Sequence, residues 1–155
     1  MKKTLLSIQL LSLILLTSCS STIEGTMYIS DASIKISWSN TLTSDSKITG
    51  TFTLNDGQAP KEYYVLGYTD KSIYSSTSTT ETVLQKFTKG QLSQDNTINY
   101  EIKLNLNSMF PTKDKQRMLY FIFHSSEYSR SDIKTYSTSE YKYTRDGDKV
   151  KLNLE

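Results

Sequence analysis

The chain has 155 residues, with one histidine, His124, and one cysteine, Cys19. Any nucleophilic or metal chemistry would have to start from these two. An imidazole titrates near neutral pH and can act as a general base or a metal ligand. A metal needs further ligands at suitable spacing, and no second histidine is present. Ser125 and Ser126 adjoin His124. Neighbours in sequence do not make a triad, which is a matter of spatial geometry, and there is no Gly-x-Ser-x-Gly elbow. His124 therefore reads as a structural or surface residue. Asp56, Asp146 and Asp148 fall in turn signals beside glycine. Asp146-Gly147-Asp148 loosely echoes part of a calcium loop, but the further Asp or Asn ligands and the closing Glu are missing. No spacing marks a carboxylate pair of the glycosidase kind. Glycine occurs singly throughout, so there is no phosphate-cradling loop. The expectation is a protein that is not an enzyme and uses no cofactor and no metal.

Cys19 has a clearer context. Lys2-Lys3 makes a positive start, and nine of the twelve residues from Leu5 to Leu16 are Leu or Ile. Spanning a bilayer takes about 20 apolar residues, so the run reads as the h-region of an export signal. Leu16-Thr17-Ser18-Cys19 follows. An apolar residue, two small ones and a cysteine at this place resemble the lipobox of bacterial lipoproteins. The resemblance covers about the first 20 residues, the usual extent of such a signal. It implies that the Cys19 sulfur receives a diacylglyceryl group and that the chain is cut before it. It also implies a bacterial envelope location. Ser20 stands where the family's inner-membrane retention signal usually has Asp, which implies the outer membrane in a two-membrane organism. The expected organisation is a signal peptide over 1–18, lipidated Cys19 with a short tether over 19–26, and a single domain over 27–155. The seven residues Ser20 to Thr26 reach at most about 25 Å when extended. Once Lys2 and Lys3 are removed, sixteen basic residues face sixteen acidic ones. That balance argues against nucleic acid or anionic lipid as an electrostatic partner of the whole domain.

The elements behind the anchor are read from their alternation. Eleven Tyr with six Gly and two Pro fit an exported all-β domain. Ala32, Ile34, Ile36 and Trp38 share one face of a strand. Ile48, Gly50, Phe52 and Leu54 share one face of the next. Asn55-Asp56-Gly57 signals a turn, and Pro60 calls for a longer loop. Glu62 to Tyr68 is apolar almost throughout, and Thr82 to Phe87 is a weaker strand. Ile98 to Leu106 alternates strictly, while Met118 to Phe123 is apolar on both faces and reads as a central strand. Asp146-Gly147 predicts a terminal type I′ hairpin pairing Tyr143 with Val150 and Tyr141 with Leu152. Asp70 to Thr80 and Met109 to Arg117 read as loops, with short helical turns around Asn107 to Gln116. The prediction is an all-β antiparallel sandwich of seven or eight strands, immunoglobulin-like or transthyretin-like, with under about 15% helix. A small barrel is the alternative.

Two strands carry two apolar faces, where a sandwich strand needs one. Phe121 is taken as core-facing and Ile122 as outer. Tyr64, Leu66, Tyr68, Tyr120 and Ile122 then form a candidate partner-binding face, since large exposed apolar patches usually mean interaction. The functional expectation is a non-catalytic, lipid-anchored envelope protein that binds another protein as an accessory or assembly component. In size, anchor and inferred architecture it is similar to the compact β-sandwich lipoproteins of type VI secretion membrane complexes, with none of their motifs. The alternative is a lipoprotein that binds a small ligand or glycan through tyrosine faces and Ser/Thr loops.

Overall fold

The computed structural model describes residues 20–71, 80–111, 116–128 and 136–153. The expected signal peptide and Cys19, most of the expected Asp70–Thr80 loop and part of the expected Met109–Arg117 loop lie outside the described residues. Of the described residues, 62% are in strands and 7% in helix, and the all-β antiparallel architecture of two packed sheets is the one expected. The elements are β1 (Thr22–Tyr28), β2 (Ala32–Ser39), β3 (Thr41–Leu42), β4 (Lys47–Leu54), β5 (Tyr63–Thr69), β6 (Thr82–Thr88), α1 (Lys89–Leu92), β7 (Thr97–Lys103), α2 (Leu106–Met109), β8 (Gln116–Ser125), β9 (Tyr136–Asp146) and β10 (Lys149–Asn153). A four-stranded sheet has the order β1-β2-β4-β7, and a six-stranded sheet the order β3-β10-β9-β8-β5-β6. The core lies between them. Trp38 packs edge-on to Phe121 and Tyr141, and Phe52 packs against Tyr64, Phe87 and Phe123.

Among the described residues ten strands form rather than seven or eight. The two additions are β3, only two residues long, and β1, which takes up Thr22 to Thr26 of the expected tether and moves the start of the domain to Thr22. In β1 only Ile23 and Met27 are buried apolar residues, and Gly25 interrupts the pattern between them. A side chain at Gly25 would meet the Tyr141 hydroxyl at 2.7 Å. A tyrosine from the opposite sheet therefore fills the space that a β1 side chain would occupy. Gly50 is a second case. It pairs with Tyr100 across β4 and β7, and the Tyr100 hydroxyl donates to the Lys35 carbonyl at 2.7 Å over the glycine.

The terminal hairpin forms with a shifted register. Gly147 and Asp148 make the turn, so Leu152 pairs with Tyr143 and Val150 with Arg145. Gly147 has φ 56° and Asp148 has no positive φ. This fits a II′ turn, with glycine at its first central position, and not the I′ turn expected. The shift moves each partner by two residues, so Tyr143 and Leu152 still share the core face. The expected strand Ile98 to Leu106 ends at Lys103, and Asn105 caps α2 by accepting from the Ser108 amide. Arg145 closes this corner by donating to the carbonyls of Leu106 and Phe110, to the Asn107 side chain and to the Gly147 carbonyl.

Candidate functional site: the outer face of the six-stranded sheet

β5 and β8 are neighbours, and the register decides which of their faces belong together. Leu66 lies opposite Phe123 and Tyr68 opposite Phe121. Residues directly opposite share a face. Tyr64, Leu66 and Tyr68 therefore point into the core with Leu119, Phe121 and Phe123, and all six are buried there. The five-residue candidate face mixes two sides of one sheet. Three of its members are core residues, and only Tyr120 and Ile122 lie on the outer side. Tyr64 carries a specific internal task. Its hydroxyl donates to the buried Asp31 carboxylate at 2.6 Å and accepts from the Lys61 amide. Burial and the Asp31 hydrogen bond both raise the Tyr64 pKa, so the hydroxyl stays protonated.

The outer side consists of Tyr63, Val65 and Gly67 on β5 and of Met118, Tyr120, Ile122 and His124 on β8. It is not an open apolar patch. Ile122 is 2% exposed, Val65 4% and His124 5%. Glu81 and Thr82 lie over Gly67, where an added Cβ would come within 3.1 Å of the Glu81 carboxylate and 3.0 Å of the Thr82 carbonyl. The register break between Leu66 and Gly67 occurs at this place. The chain entering β6 thus covers part of the face that the sequence reading left open.

His124 sits at the centre of this cover. Its Nε2 lies 2.7 Å from Glu81 Oε1 and its Nδ1 2.8 Å from the Ser125 carbonyl oxygen. The Tyr128 ring lies 4.3 Å away, tilted by 30°, and Tyr136 meets Tyr128 edge-on. Both ring nitrogens face acceptors, so both are best satisfied as donors, which is the imidazolium form. Each ring nitrogen is thus held against an oxygen of the protein itself. The structure thus supplies a carboxylate partner that sequence reading missed. Glu81 is 43 residues away and belongs to no motif with His124. Among the described residues there is no group of three or more His, Cys, Asp or Glu that could hold a metal ion.

Burial lowers the His124 pKa. The Glu81 hydrogen bond, the Ser125 carbonyl and the Glu81 charge raise it, and together they prevail, so the net direction is upward from 6.5. A raised folded-state pKa contributes stability that is fully present below the unfolded value and is lost as pH rises through the folded one. Wild-type unfolding free energy should therefore fall from pH 6 to pH 8 more steeply than that of His124→Gln, measured by urea denaturation. Equal slopes in the two proteins would remove the ion pair from this account.

Grooves open elsewhere. One, about 620 Å³, runs along β3, β10 and the end of β9 and is lined by Thr41, Thr144, Asp146, Lys149 and Lys151 among others. A second, about 400 Å³, lies by α2, and a third, about 210 Å³, lies beside Tyr68 and Met109. Compared with known protein families, curated proteins and solved structures, the chain matches none.

Proposed function

We propose that this protein is a lipid-anchored component of the bacterial envelope that serves as a non-catalytic binding partner of another protein. One observation carries the anchored reading. The lipobox-like Cys19 stands only three residues before Thr22, where β1 begins, so a folded sandwich starts almost at the acylation point. The commitment of both His124 nitrogens supports a role without catalysis. The placement of exposed apolar side chains supports a protein partner over a small ligand. Tyr28 is 70% exposed and Val83 54%, and they lie on β1 and β6, each outermost in its sheet. An outermost strand offers unpaired backbone groups as well as side chains to a partner. An accessory or assembly role, as in a secretion complex, fits such surfaces.

Cys19→Ser should move the protein from the membrane and detergent phase into the aqueous phase, and intact mass should show acyl groups on wild type alone. A free Cys19 thiol in membrane-extracted wild type would refute the anchor. Photo-cross-linking from position 83 in intact cells should give one discrete heavier species, with none from position 49 on the opposite outer face. Absence of a product from position 83 would count against the protein-partner reading.

A further inference from the structure

The domain's balanced charge argues against an electrostatic lipid partner only if the charges are evenly spread, and strand register spreads them unevenly. On the outer side of β9, β10 and β3, Thr144, Lys151 and Thr41 stand in one row. In the adjoining row Lys149 lies opposite Asp146. These residues line the 620 Å³ groove, and both lysines are exposed. The groove's remaining cation, Arg145, is occupied by the carbonyls around α2.

The chain leaves the fold at the same corner. The Ser21 amide donates to the Asn40 side chain at 3.1 Å, and the Asn40 amide donates to the Ser21 carbonyl at 2.8 Å. Asn40 also accepts from the Leu152 amide at 2.8 Å and directly precedes Thr41 of the groove wall. Ser21 is thus tied to the residue that joins the two sheets, and Lys151 lies opposite the very next residue. Only Ser20 separates Ser21 from Cys19. Two residue steps span at most about 7 Å. An acyl group on Cys19 therefore holds this corner, with little slack, at headgroup depth.

We propose that the groove formed by β3, β10 and the end of β9 docks on the anionic phosphate headgroups of the membrane that anchors the chain, through Lys149 and Lys151. Thr41 and Thr144 flank Lys151 in its row; the Thr41 hydroxyl donates to the Asn40 side chain at 3.3 Å, so Thr144 supplies the hydroxyl donor to the same headgroup oxygens. The inference rests on the anchored reading above. It adds an orientation: the β3–β10 edge faces lipid, while the outer face of β2 in the four-stranded sheet, with exposed Lys35, stands away from it.

The test uses full-length protein extracted from membranes, with the Cys19 modification read first by intact mass. The protein is placed in phosphatidylcholine vesicles, with or without phosphatidylglycerol, and the acetylation rate of each lysine is followed by peptide mass spectrometry. A lysine beside an anionic surface gains attraction that corresponds to about fivefold slower modification. Lys149 and Lys151 should slow by about that factor when phosphatidylglycerol is present, with Lys35 unchanged. The effect should fade in high salt. In Lys149→Glu, whose position is exposed and whose fold can be checked by circular dichroism, Lys151 should lose most of its response to phosphatidylglycerol. A free Cys19 thiol overturns the anchor and the docking together. Acylated Cys19 with equal labelling in both vesicles overturns the docking alone. Equal protection by inorganic phosphate in phosphatidylcholine vesicles assigns the groove to a soluble anion and overturns it too.

Discussion

Gly50→Ala should destabilise the domain by about 3 kcal/mol or more, an unusually large loss for a single added methyl group. A Cβ at Gly50 would lie 1.8 Å from the Lys35 carbonyl oxygen and 2.6 Å from the Tyr100 hydroxyl. The first obstacle is backbone in β2, so no rotamer change relieves it. The second is the hydroxyl that donates to the same carbonyl, so relief by moving Tyr100 breaks that hydrogen bond. Tyr100 is buried, and burial raises its pKa, so an unpaired hydroxyl there has no cheap alternative. Urea denaturation gives the measurement, with Gly90→Ala as control. At Gly90 nothing lies within 4 Å of an added Cβ and the backbone is helical. That substitution should be neutral or slightly stabilising. A Gly50→Ala protein within about 1 kcal/mol of wild type would show that β2 and β4 can separate at this point, contrary to close core packing.

Ile122→Asp should unfold the domain about as badly as Phe121→Ala, at roughly 3–5 kcal/mol each. For Phe121 the reason is ordinary core packing against Trp38 and Tyr141. For Ile122 it is the cover over the outer face. The side chain is 2% exposed, so an aspartate there loses the buried isoleucine and must hold a carboxyl group away from water. An open apolar binding face would give the opposite outcome, in which Ile122→Asp folds normally and loses only its partner. Thermal and urea unfolding of the two variants side by side separates the cases. A normally folded Ile122→Asp would restore the outer face as a docking surface.

The strands themselves were legible because a half-buried strand writes its burial into alternate positions. β2 and β4 bury the apolar side chains that their alternation marks, and β8 lies within its sheet as its doubly apolar sequence requires. β1 was not legible, because Gly25 buries no side chain of its own and borrows Tyr141 instead. The hairpin's existence was written in Asp146-Gly147, but its register was not. Either side of Gly147 can supply the other turn residue, and both registers keep tyrosine on the core face.

The candidate site divides along the same line. By itself the sequence determined the alternating strands, the single histidine without motif partners and the lipobox-like start, since each is a property of neighbouring residues. It also determined that β5 and β8 have two apolar faces, but not which faces share a side. Only pairing across strands puts Leu66 opposite Phe123 and Gly67 opposite Ile122, sending Tyr64, Leu66 and Tyr68 inward. Only the fold brings Glu81 to His124 and sets Lys149 and Lys151 beside the corner where Ser21 meets Asn40. The physical reason is that alternation within a strand is local and two-valued. Register, cover and charge clustering depend on contacts between residues far apart in the chain, whose geometry exists only once the sheets have closed on their core.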